Sequence, residues 1–142
     1  MKEEAWTLGP FEASLSPALE GSQDTVFDCP LSGHRIFWEA SGVSSPAAAV
    51  RQGEVHMLYG ASDFNGQQRG VSRVGLAVSQ DGVTFPQAKR SPRPVLYPDA
   101  DDFQSLEWGG SGLTPGSVVE SPLDGSYVMA YTANGGETSR LE

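Results

Sequence analysis

The sequence predicts an all-β fold made of blade-sized repeats, a partial β-propeller, and three observations carry that reading. Seventeen glycines and ten prolines in 142 residues interrupt the chain so often that no helical apolar period survives beyond about one turn. Ser45 to Tyr59, SPAAAVRQGEVHMLY, returns in altered form at Thr114 to Tyr131, TPGSVVESPLDGSYVMAY. Each copy opens on a hydroxyl residue and a proline, passes through small residues into an apolar run and a glycine turn, and ends in an alternating strand closing on tyrosine. The copies lie about 70 residues apart, a period of one propeller blade rather than of one hairpin.

Taken in order, residues 1–44 form an amino-terminal arm with a stray outer strand. Pro10, Pro17 and Pro30 keep its first part irregular, and Trp6, Phe11 and Phe27 are isolated apolar anchors. His34 to Ala40 is a short strand, followed by a bend from Gly42 to Pro46. The first blade occupies residues 45–98. Ala47 to Val50 is its inner strand, Arg51-Gln52-Gly53 the turn, and Val55 to Tyr59 the partner strand. Alternation puts Val55, Met57 and Tyr59 on one face and His56 and Leu58 on the other, so both faces are apolar, as a strand between two neighbouring layers requires. After the polar loop Asp63 to Gly70, with its Asn65-Gly66 turn signal, Ser72 to Ser79 is a third strand and Val83 to Phe85 a fourth. Pro86, Pro92, Pro94 and Pro98 exclude a central strand, so this stretch crosses between blades. Asp99 to Gly112 is an acidic, then glycine-rich loop. The second blade begins in residues 113–142, with strands at Ser117 to Val119 and Ser126 to Thr132 and a third starting at Ser139.

Formal charge is -9, which repels a phosphate backbone or an anionic membrane surface; nucleic acid and membrane are therefore not expected partners. No apolar run has the length of a membrane span. MKEEAWTLGPF lacks the apolar core of a signal peptide, and the expected location is cytoplasmic, or secreted if a signal was removed. Leu141-Glu142 reads as a cloning scar or as native sequence. Cys29 is alone and reads as a small buried apolar residue. His34 and His56 are far apart and have no second ligand at metal spacing, so no metal site is expected. Asp99, Asp101 and Asp102 lack the glycine and terminal glutamate of a calcium loop.

Four stretches, PAAAVRQGEVHMLYGAS (46–62), SRVGLAVSQDGVTF (72–85), PVLYPDADDFQSLEWGG (94–110) and VVESPLDGSYVMAYTA (118–133), resemble in order and spacing the five-bladed β-propeller glycosidases and glycoside phosphorylases. The resemblance is greatest to the mannoside phosphorylases of glycoside hydrolase family 130 and their uncharacterised relatives. It implies that the chain corresponds to about one and a half four-stranded blades of a five-bladed fold. Repeat architectures need about three units to cover their apolar faces, so the fold is expected to be completed by oligomerisation, as a homo-oligomer, or by further carboxy-terminal blades. The resemblance also implies an oligosaccharide as partner and no cofactor, with inorganic phosphate open as a co-substrate.

The family's chemistry depends on a carboxylate just before the proline that opens an inner strand, and three matched positions depart from it. The general-acid motif Glu-Asp-Pro-Arg reads Leu113-Thr114-Pro115-Gly116 here; the opening carboxylate-proline is Ser45-Pro46; and Leu-Tyr-Arg-Ala reads Leu58-Tyr59-Gly60-Ala61. An alkyl hydroxyl such as that of Thr114 cannot protonate a glycosidic oxygen near neutral pH. Arg73 keeps the family's Ser-Arg pair. Glycosidic cleavage needs two flanking carboxyl groups, and the carboxylates left to supply them are Asp28, Glu39, Asp63, Asp101, Asp102, Glu107 and Glu120. Asp28, just before Cys29-Pro30, and Glu107 are the catalytic candidates. Asp63, Arg73 and Trp108 are the substrate-binding ones, Trp108 because an indole face suits the CH groups of a sugar ring. Each has a structural alternative: a turn for Asp28 and Asp63, a strand-tying ion pair for Arg73, and edge packing for Trp108. Ser79 to Phe85 resembles the Asp-box turn of sialidases, one residue short, and reads as structural. The sequence thus predicts a carbohydrate-active propeller protein, weak or inactive as this chain, or a non-catalytic sugar-binding or assembly module.

Overall fold

A computed structural model of the chain describes residues 9–65, 68–98, 112–135 and 138–141. The described residues are all-β, with one two-stranded and one six-stranded sheet, neither of them closed. Strands β1 (Val26–Cys29) and β2 (His34–Phe37) pair antiparallel in the arm. Strands β3 (Gly42–Arg51), β4 (Glu54–Asn65) and β5 (Gln68–Ser79) form the first blade, and β6 (Gly112–Glu120), β7 (Tyr127–Gly135) and β8 (Thr138–Leu141) the second. Strands follow one another in chain order, antiparallel within each blade. A single parallel register pair, Ser72 with Gly112, joins β5 to β6. Gly112 is required there: its φ is 90°, and a Cβ would strike the Ser72 backbone.

The two repeats fold alike. The β3–β4 connection is a two-residue turn with Gln52 and Gly53 both at positive φ, the type I′ pattern that matches strand twist. Near its hydroxyl-proline, each inner strand carries a bulge of one extra residue, between Ser44 and Ala47 in β3 and between Pro115 and Val118 in β6. The expected bend from Gly42 to Pro46 is therefore a kink within a strand, because the bulge absorbs the proline and the positive φ of Ser45 (52°) without ending the pairing.

Two further expectations are corrected. The stretch read as irregular up to Leu31 contains β1, which pairs with β2 in a hairpin closed by Gly33 N–H donating to Cys29 O at 2.8 Å. Val83 to Phe85 is not the fourth strand. Asp81 Oδ1 accepts the N–H groups of Val83 (2.9 Å) and Thr84 (2.7 Å), which removes those donors from any ladder. The edge beside β5 is taken instead by the proline-rich crossing, through isolated bridges of Ala77 with Arg90 and Val74 with Leu96. Asp81 also accepts from Ser79 Oγ at 2.8 Å, so the Asp-box-like segment is a structural turn, as read.

The core consists of two clusters on opposite faces of the first blade. Phe27, Cys29 and Trp38 from the arm pack on Tyr59, Ala61 and Ala77. Trp38 is fully buried and stacks on Tyr59, with ring centroids 6.3 Å apart. Gly75, opposite Tyr59, leaves room for that ring, which a Cβ would strike. On the other face, Leu58, Val74 and Leu96 meet Leu113, Tyr131 and Ala133 of the second blade. Tyr59 and Ala61 thus face backward onto the hairpin, and their repeat partners Tyr131 and Ala133 face backward onto the first blade. The hairpin occupies, for the first blade, the place that the first blade occupies for the second.

Trp38→Ala is expected to lower unfolding free energy by about 3–5 kcal/mol, from lost burial plus the cavity left behind. Val128→Ala, at a site 55% exposed, is expected to change it by no more than about 0.5 kcal/mol. Urea denaturation of the two variants measures the contrast.

Candidate functional site

Inner strands β3 and β6 both approach Gly60 near their bulges. Gly60 of β4 lies between them: a Cβ there would stand 3.4 Å from Ser44 O, 3.5 Å from Ser44 Oγ and 3.6 Å from Pro115 Cδ. Ser72 Oγ donates to Leu113 O at 2.8 Å and fastens the same junction. The positions where the resemblance implies charged groups, beside Pro46, at Gly60 and beside Pro115, are thus spatial neighbours. All three are small and neutral here. The space beside Gly60 would accept a Cβ in ordinary contact, so crowding does not explain the glycine.

Asp63 and Arg73 are brought together next to this junction. Asp63 is not in a loop: β4 continues through it, and the register shifts there against β5. Arg73 Nη1 stands 3.3 Å from Asp63 Oδ1 and donates to Val71 O at 2.8 Å, while Nη2 contacts Cys29 Sγ at 3.3 Å. The guanidinium lies 6.0 Å from the Phe27 ring centroid. The arginine is 2% exposed, so its charge is held inside the fold. Asp63 Oδ1 and Arg73 Nε have no aligned hydrogen bond among the described residues, which makes this an ion pair of poor geometry. Burial raises the Cys29 thiol, but hydrogen bonds from Ser32 and Arg73 outweigh it and leave the thiol below its ordinary range.

Asp28 lies elsewhere. It is on the exposed side of β1, directly opposite Arg35, whose Nε donates to Oδ1 at 2.9 Å. That hydrogen bond and charge hold its carboxyl below the usual carboxylate range, a state suited to an ion pair and not to a proton donor. Glu107 and Trp108, with Asp101 and Asp102, lie outside the described residues.

The most elaborate polar constellation surrounds Glu39, which the sequence offered only as one carboxylate among seven. Its side chain is fully buried. Oε2 accepts from Arg90 Nη1 (2.9 Å), Thr25 Oγ1 (3.0 Å) and the Ser22 N–H (3.3 Å), and Oε1 accepts from Tyr59 Oη at 2.5 Å. Burial, with the Glu39 hydrogen bond and charge, pushes the Tyr59 phenol far up, so it remains a donor at any working pH. Arg90 Nη2 also donates to Glu20 O at 2.7 Å. The network pins residues 20–25 of the arm onto the blade. Gly21 is part of that contact, since a Cβ there would meet Glu39 O at 2.5 Å. The partners come from positions as much as 51 residues apart, a pairing with no local sequence signal.

The comparisons with known proteins agree with this geometry. No family model matches the chain. A 1,2-beta-oligomannan phosphorylase of Thermoanaerobacter sp. (strain X514) is 34% identical over 101 residues, which is 69% of this chain and 30% of that protein. A glycosyl hydrolase crystal structure from Bacteroides ovatus superposes with a TM-score of 0.83 at 37% identity, over 96% of this chain and 38% of that one. A structure described with the GH130 family of mannoside phosphorylases, which contains glycoside hydrolases that target β-1,2 mannosidic linkages in Candida mannan, gives 0.83 at 35% identity with the same coverage. The all-β chain is consistent with a partial propeller, and its relatives are glycoside hydrolases and mannoside phosphorylases of the propeller superfamily. Among them are members of glycoside hydrolase family 130, to which the chain is similar, and it spans about a third of the length of these relatives.

Two outcomes are expected. Arg90→Leu leaves the Glu39 carboxylate buried and unpaired and costs about 3–5 kcal/mol, of which adding Glu39→Gln recovers a large part in a double-mutant cycle by chemical denaturation. Asp81 is held below the carboxylate range by the N–H groups of Thr84 and Val83 and by Ser79. Its folded pKa is depressed, so its contribution to stability is present above about pH 4 and is lost as pH falls below that. Asp81→Asn should therefore flatten the acid side of the melting-temperature profile below about pH 4, relative to the unmodified chain.

Proposed function

We propose that this chain is part of a carbohydrate-active propeller that engages β-linked mannosides, and that the portion in hand binds the sugar without cleaving it. The observation that carries the reading is the junction of β3 and β6, where the acid position is Thr114 and the flanking positions are Ser45 and Gly60. Hydroxyls at the bulged strand starts can accept and donate hydrogen bonds to sugar hydroxyls, but none can deliver a proton to a leaving oxygen. The relatives' names, a phosphorylase of 1,2-beta-oligomannan and hydrolases of β-1,2 mannosidic linkages, support mannosides as the ligand class. Cleavage by water and cleavage by phosphate both require a general acid, which Thr114 cannot supply, so the reading favours a binding role for these blades. The second blade's forward face, with Val119 opposite Val128 and both more than half exposed, supports completion by a further blade or a second copy.

The test is a paired assay on the 142-residue chain with β-1,2-linked mannobiose. Calorimetry is expected to show saturable binding. Product analysis with and without inorganic phosphate is expected to show turnover at least about 10²-fold below that of an intact glycosidase, since a general acid contributes about 10²–10⁴ in rate and Thr114 cannot act as one. Turnover comparable to an intact glycosidase would refute the binding-only role, and an absence of heat with manno- and xylo-oligosaccharides would refute sugar recognition.

A further inference from the structure

Where the arm is pinned by Glu39 and Arg90, it does not lie flat on the blade. Residues 16–25 form one wall of an open cleft of about 840 Å³, and Phe85, Gln87 and Arg90 form the other. The cleft's lining includes no residue of the β3–β6 junction, although Ala18 and Leu19 of its wall also reach Ser44 and Pro46. Its wall is preformed: the Ser22 and Thr25 bonds to Glu39, the Arg90 bond to Glu20 O, and Gln23 Nε2 donating to Ala40 O at 2.8 Å fix the arm's path. We propose that this arm cleft is a second binding site, for a neutral saccharide of one or two rings.

Three features select that chemistry. The Arg90 guanidinium is matched by buried Glu39, while Glu20 and Asp24 add negative charge to the rim, so the cleft disfavours phosphate and other anions. The groups left to read a ligand are the exposed amide of Gln87 and the exposed carboxylate of Asp24, neither of which has a side-chain partner among the described residues. Such groups pair with adjacent sugar hydroxyls. Half-buried Phe85 supplies an aromatic wall for the CH face of a ring. The volume falls within the range of about 300–1,000 Å³ usual for small-molecule sites. The inference rests on the mannoside reading above for the sugar class, and adds a site on the arm side of the blade.

The experiment is an amide nitrogen–proton NMR titration of the whole chain with β-1,2-linked mannobiose, repeated with inorganic phosphate. Saturable shifts are expected at Gly21 to Thr25 and Gln87 to Arg90, unaffected by phosphate. Gln87→Ala, at an exposed position that leaves the core untouched, should weaken that affinity about fivefold or more, with an unchanged melting temperature. Asp24→Ala should act in the same direction. Saturable shifts confined to Ser44–Gly60 and Gly112–Thr114 would overturn this inference and leave the mannoside reading intact. Silence at every amide would overturn both, and displacement of the sugar by phosphate would overturn the assignment of a neutral ligand.

Discussion

The Glu39 carboxylate, fully buried and surrounded by Arg90, Tyr59, Thr25 and the Ser22 amide, is the constraint on which the rest of this structure depends. An ion removed from water costs several kcal/mol unless its lone pairs are satisfied, and here four donors converge on two oxygens. Those donors come from three separate parts of the chain: the arm, strand β4, and the crossing that follows β5. Because loss of Arg90 strands a buried charge and loss of any other donor removes one of its hydrogen bonds, the network ties the arm hairpin, the blade and the crossing into one unit. Trp38, next in sequence to Glu39, adds the apolar part of the same contact by stacking on Tyr59.

That unit addresses the exposed-face problem of a short propeller segment on one side. A blade has two apolar faces, and the repeat shows how each is used. Tyr59 and Ala61 bury backward on the hairpin, and Tyr131 and Ala133 bury backward on the first blade. The hairpin therefore acts as a cap in the position of a preceding blade. The forward face of the second blade, where Val119 and Val128 stand opposite each other, has no such cover among the described residues. The candidate sites follow the same division: the junction of the two blades carries the altered family positions, and the capped side carries the arm cleft.

Much of this was legible in the sequence, because the repeat is written in residues with strong local consequences. The hydroxyl-proline pairs mark the bulges, Gln52-Gly53 marks a tight hairpin, and the tyrosines closing each copy mark the backward faces. The Leu58 and Tyr59 alternation marked a strand with apolar groups on both faces, and Tyr59 is buried in one cluster while half-buried Leu58 packs on the other. The fourth strand was misread because Val83 to Phe85 has an apolar pattern while its amides are consumed by Asp81, a competition that apolar periodicity does not register. In the site, pairing of Arg73 with an acidic neighbour was readable from residue type, and the structure identifies that neighbour as Asp63. The Glu39–Arg90 pair was not readable, since nothing local links a residue after β2 to one in a proline-rich crossing.

Native-state hydrogen exchange followed by NMR tests the central claim, that the arm hairpin is an integral cap folded together with the first blade. The account predicts that the paired amides of β1 and β2 exchange with nearly the same opening free energy as those of β4 and β5, and that Arg90→Leu lowers both together. Hairpin amides that exchange orders of magnitude faster than β4, unaffected by Arg90→Leu, would contradict it.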